Sequence, residues 1–142
     1  MASRTEYRAF QIAIGIAGLV PVGAGLAGVL AGAGMMGASA ASVGLDSHVR
    51  YLSGVLLGIG LIFWALIPTI NRRKTVVRTL TLVVFVGGLG RLFGFFAQGL
   101  PDGGNTLAIV MELVVTPLLC AWQARFAGSG GGALPTQPAR TM

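Results

Sequence analysis

The sequence has one cysteine, Cys120, and one histidine, His48, so an intramolecular disulfide and a Cys-x-x-Cys or Cys/His ligand set are both excluded. Charge is scarce as well: 10% of the 142 residues are charged, and Asp and Glu together number 4. A soluble domain of this length needs far more polar surface. The chain holds no paired-carboxylate centre, no nucleophile with a basic partner and no phosphate-cradling loop. These gaps predict a protein that is not an enzyme and that carries no metal or cofactor.

What is abundant is apolar. Hydrophobic residues make up 54% of the chain, and the mean hydropathy is +0.82. They gather into four runs near the ~20 residues that a helix needs to cross a hydrocarbon core. Helices are predicted over about 10–30, 47–68, 76–98 and 106–123. Short connections make consecutive helices antiparallel neighbours, so the fold expected of residues 1–126 is an all-α, four-helix up-down transmembrane bundle. Residues 127–142 are rich in Gly, Ser and Pro, a composition that cannot bury a core, and they read as a flexible or docking tail.

The first run follows Arg4 and Arg8, as a signal peptide would, and Ala38-Ser39-Ala40 could pass as a cleavage site. Its apolar stretch is longer than the ~7 to 15 residues of a signal core, so it reads as a span. Gly15, Gly18, Gly25 and Gly28 would let a neighbour approach closely in lipid, and Pro21 is expected to bend the helix. Residues 31–45 read as a loop or short interfacial helix, with Met35-Met36 as filler. Asp46-Ser47 is an N-cap signal for the second span, where Gly54 and Gly58 have small-xxx-small spacing. Gly87, Gly88, Gly90 and Gly94 mark the third, the turn at 100–104 follows it, and Pro117 should bend the fourth.

The net charge of +6 invites a nucleic-acid reading. The positive residues, however, sit at the ends of apolar runs, where they orient a membrane protein, so no nucleic-acid partner is expected. Asn71-Arg72-Arg73-Lys74 with Arg78 is the densest cluster, which predicts a cytoplasmic loop. Both termini then lie inside, and the loops at 31–46 and 99–105, which hold no Lys or Arg, face outward. Nine Arg against one Lys, with abundant Ala, Gly, Val and Leu, reads as the bias of a GC-rich bacterium, whose plasma membrane is the expected location.

Ionisable groups inside spans cost roughly 2.5 to 3.5 kcal/mol each at a helix centre and usually have a partner. Arg91 lies about as far from the outer end of the third span as Glu112 does from that of the fourth, so the two should pair. Gly87, Gly88 and Gly94 flank Arg91 at helical spacing, and Asn105, Ala108 and Thr116 share the stripe of Glu112. Asp46, His48 and Arg50 cluster at the start of the second span, with Asp46 placed to cap the helix and Arg50 to turn inward. Together with Arg91 and Glu112 they could form one outward-facing polar pocket. One reading makes these charges glue that fixes helix register, and the other makes them a site for a small anion, a proton or a polar headgroup. His48 alone cannot build a metal site, and Cys120 reads as packing.

The strings Leu45-Asp46-Ser47-His48-Val49-Arg50-Tyr51-Leu52-Ser53-Gly54, Gly87-Gly88-Leu89-Gly90-Arg91-Leu92 and Met111-Glu112-Leu113 resemble the bacterial domain-of-unknown-function 4345 family of small four-helix membrane proteins. The resemblance covers roughly residues 45 to 125 and implies a fold and a shared polar constellation, with no established activity. The function expected is that of a non-catalytic accessory or interaction subunit of a larger membrane complex, touching lipid and other subunits. The alternative is a small-molecule, anion or proton-handling membrane protein that uses the Arg/Glu pocket.

Overall fold

The computed structural model describes residues 4–37, 41–99 and 103–126, all without β-strand. The tail at 127–142, Ala38-Ser39-Ala40 and residues 100–102 of the third turn lie outside the described residues. Helix α1 spans Arg4–Ala31 and runs into a 3-10 turn at Gly32–Met36. Helix α2, Val43–Leu66, is followed by a 3-10 turn at Ile67–Thr69, and α3 spans Lys74–Gln98. The last span consists of α4, Gly103–Val110, a π-helical turn at Met111–Val115, and α5, Thr116–Phe126.

With their 3-10 extensions these elements give four spans of 33, 27, 25 and 23 residues, each long and apolar enough to cross a bilayer. Large apolar side chains such as Ile16, Leu30, Leu82, Phe93, Phe96 and Leu118 point outward. A surface of that kind is compatible with contact with a lipid bilayer. The helices begin two to six residues before the apolar runs, because Arg4, Arg8, Lys74 and Asn105 are compatible with helical backbone while lying beyond the apolar stretch.

α1 and α2 pack along their whole length, antiparallel. The pairings Gly18 with Trp64, Gly25 with Leu57 and Gly28 with Ser53 descend one helix as they climb the other. The buried positions of α1, Phe10, Ile14, Gly18, Gly25 and Gly28, recur at helical spacing and form one stripe. A Cβ on Gly25 would lie 2.6 Å from the backbone nitrogen of Leu57, so the helices approach as closely as their backbones permit. The Trp64 indole covers Gly18 and donates to the carbonyl of Gly15 at 3.1 Å. On α2 Gly60 packs against Pro21 and Val22 of α1, whereas no atom of another described element lies within 4 Å of a Cβ on Gly58. The expected role of Gly58 in packing is therefore corrected: it lies on another face, while Gly54 only grazes Val29 at 3.8 Å.

The core sits at the end of the molecule that holds the 67–73 turn. Phe10, Ile14, Ile70 and Val77 are buried together, with Trp122 set edge-on to Phe10 at a ring separation of 5.3 Å. Cys120 packs beside them. A helix end leaves carbonyls short of partners, and here two glutamines supply donors, the Ile70 carbonyl also accepting a long bond from Arg73 N at 3.4 Å. Gln11 donates to the Ile67 carbonyl at 2.9 Å, and Gln123, 1% exposed, donates to that of Ile70. Two segments distant in sequence, in α1 and α5, are thus locked onto one turn.

Candidate functional site

At the opposite end the polar residues form two clusters. The first lies between α3 and the last span. Arg91 grips Glu112 with both arms of its fork, Nε to Oε2 at 3.1 Å and Nη2 to Oε1 at 3.2 Å, and its Nη1 donates to Asn105 Oδ1 at 2.9 Å. A fork of this kind fixes direction as well as distance. The Glu112 side chain is 13% exposed and that of Arg91 37%.

Gly88 makes the approach possible: a Cβ there would come within 2.8 Å of both Glu112 Cβ and Leu113 Cδ2. Among the described residues no atom of another helix lies within 4 Å of a Cβ on Gly87 or Gly94, the positions expected to pack beside Arg91, nor of one on Gly90. Successive residues on a helix are ~100° apart, so Gly87 and Gly88 cannot both face the same neighbour.

Glu112 stands in the π-helical turn, a feature that sequence periodicity did not reveal. Pro117 has no N–H to give the Leu113 carbonyl, and in a regular α-helix its ring would collide with that oxygen. The helix widens instead: the Thr116 N–H reaches back five residues to the Met111 carbonyl, which also accepts from Thr116 Oγ1 at 2.8 Å. The extra residue in this turn re-aims the side chains that follow Met111. Turns of this type recur at functional positions. The pair Thr116-Pro117 was the readable signal.

The second cluster closes the α1–α2 hairpin. Ser42, not Asp46, caps α2, its Oγ accepting from Leu45 N at 3.2 Å. Helix α2 begins a turn earlier than Asp46-Ser47 suggested, so Asp46 faces sideways. Its Oδ1 accepts from Ala33 N at 3.0 Å and its Oδ2 from Arg50 Nε at 2.7 Å. Arg50 Nη1 in turn donates to the Val29 and Leu30 carbonyls at 2.6 and 2.9 Å. The last turn of α1 contains no basic residue of its own, so Arg50 supplies the cation that the negative end of that helix favours. Gly32 is required beneath the clamp, because its φ is +58° and a Cβ would run into the Asp46 carboxylate.

Of the residues expected to line one pocket, Asp46 and Arg50 bond to each other and to the end of α1, whereas Arg91 and Glu112 bond to each other between α3 and the last span, Arg91 also donating to Asn105. His48 is exposed. Among the described residues no three of His, Cys, Asp and Glu come together in a way that could hold a metal ion.

Residues 9–123 match the family described as a domain of unknown function, DUF4345. The chain belongs to this family. The match takes in all four spans, so the first helix, with its glycine stripe, is as much a part of the DUF4345 unit as the two polar clusters are. No curated protein and no solved structure matches the chain.

Proposed function

We propose that this DUF4345 protein is a non-enzymatic accessory subunit of a larger complex in a bacterial plasma membrane. In this reading the four spans cross up-down, and both termini and the 67–73 turn are cytoplasmic. The observation that carries it is the open side of α3. Gly87, Gly90 and Gly94 share one helical face, and among the described residues no atom of another helix comes within 4 Å of the position a Cβ would take on any of them. Small residues in a membrane helix let a second helix approach closely, and the chain's own contact uses Gly88 on a different face. The unused face fits a helix of another subunit.

The test is extraction from native membranes in mild detergent with mass spectrometry of copurifying proteins, on the parent chain and on Gly87→Leu and Gly90→Leu. The parent should bring down a defined membrane protein. Each variant should lose it while keeping the parent's thermal midpoint, since open space surrounds both positions. Recovery of the parent as a free monomer sinks the reading.

A second reading, the handling of a small anion, a proton or a polar headgroup, is favoured by the π-helical turn at Glu112 and by the uncovered third of the Arg91 side chain. It predicts that Arg91 and Glu112 matter for activity in the cell even when their loss leaves the fold intact.

A further inference from the structure

Seven of the ten basic residues converge at the end where the core lies. Arg4 and Arg8 open α1, Arg72 and Arg73 occupy the turn before α3, Lys74 and Arg78 lie in its first turns, and Arg125 is near the end of α5. The core enforces the convergence. Phe10, Ile70, Val77 and Trp122 pack together, and each lies within three residues of one of these cations. All six arginines are exposed, and the one acid in the same stretches is Glu6.

Helix α3 adds to the positive field there. Its first turn contains no acidic residue and Arg73 makes no side-chain cap, so the positive end of the helix dipole reinforces the cations. At the other end of the molecule Arg50 and Arg91 are each bound to a carboxylate. Among the described residues the charge is thus one-ended, and in a bilayer crossed by the four spans that end would lie at the depth of lipid phosphates.

We propose that this arginine collar binds the headgroups of anionic phospholipids. The composition suits phosphate more than it suits general positive charge, because six of the seven residues are Arg, whose planar fork matches two phosphate oxygens at once. Lipid phosphates are held by the membrane at the collar's own level, so no diffusing ligand is needed. The proposal does not depend on the accessory-subunit reading, since it rests on the basic end and not on the glycine face of α3, and it needs no protein partner.

The experiment is native mass spectrometry of the full chain in mild detergent, titrated with phosphatidylglycerol or with phosphatidylcholine. The parent should retain phosphatidylglycerol in clear preference. The preference should fall by roughly fivefold for each arginine removed in R72Q, R73Q and R78Q, the usual weight of a basic residue near an anionic surface. His48→Gln, at the other end, should keep the full preference. As a readout that needs no variant, rising ionic strength should reduce the parent's preference. Equal retention of the two lipids by the parent overturns the proposal. So does a preference untouched by all three substitutions, and so does displacement of the lipid by millimolar inorganic phosphate, which would mark a free-anion site.

Discussion

Replacing Arg91 by Leu should destabilise the fold by about 3 kcal/mol, and replacing Glu112 by Gln by about half as much. The asymmetry comes from what each change strands. Breaking a buried ion pair by removing one partner costs about 3 to 5 kcal/mol in general, because the other charge is left without compensation. Arg91→Leu leaves the Glu112 carboxylate, 13% exposed, without the two donors of the guanidinium fork. Glu112→Gln is milder: the amide keeps a carbonyl acceptor for one arm, Asn105 keeps Nη1, and the Arg91 side chain is already 37% exposed. The double variant leaves two neutral side chains and should recover part of the loss, by about 1 to 2 kcal/mol, as expected of residues in direct contact. The assay is equilibrium unfolding in micelles of the parent, both single variants and the double, where 1.4 kcal/mol is a tenfold change in the folded-to-unfolded ratio. A Glu112→Gln loss equal to or larger than that of Arg91→Leu would refute the reasoning, as would strictly additive losses. A double variant that folds and still fails in the cell assigns the pair to function; one that folds and works leaves it as glue.

Gly32→Ala should lower the thermal midpoint, because the left-handed backbone alone costs about 1 to 2 kcal/mol for a residue with a Cβ and the new methyl displaces the Asp46 carboxylate from Ala33; Gly58→Ala, in open helical space, should be neutral or slightly stabilising. Gln123→Met should cost about 1 kcal/mol by removing the side-chain donor to the buried Ile70 carbonyl, which keeps only the long 3.4 Å bond from Arg73 N, and Gln11→Met, which removes the 2.9 Å donor to the Ile67 carbonyl, should also lower stability when both are measured by the same unfolding titration. In a Cys120→Ala background, a cysteine placed at Gly103 should react with an impermeant thiol reagent in intact cells; labelling only after lysis would show that the orientation is inverted.

How much of this was legible in the sequence depends on which kind of atom carries the interaction. Four spans could be read because hydrophobic length is a property of the run itself. The juxtaposition of Arg91 and Glu112 could be read because helical rise converts residue number into depth, and a charge in lipid needs a partner. Glycine faces could not, since periodicity says which residues share a stripe and not which stripe meets a neighbour: Gly88 touches Glu112 while Gly87, one residue away, touches nothing. The clamps were hidden for a different reason. Arg50 bonds to the carbonyls of Val29 and Leu30, and Gln11 and Gln123 to those of Ile67 and Ile70, and a backbone oxygen leaves no mark in the sequence. The side chain that was visible, Asp46, was therefore assigned the local task of capping its own helix, when its partners lie 13 residues back on Ala33 and one turn ahead on Arg50. Arg50, Gln11 and Gln123 each bond to a carbonyl at the end of another helix, a group that a lipid tail cannot satisfy. By the same logic the glycines on the open side of α3, which have no such internal task, are the positions where a change should alter partners before it alters the fold.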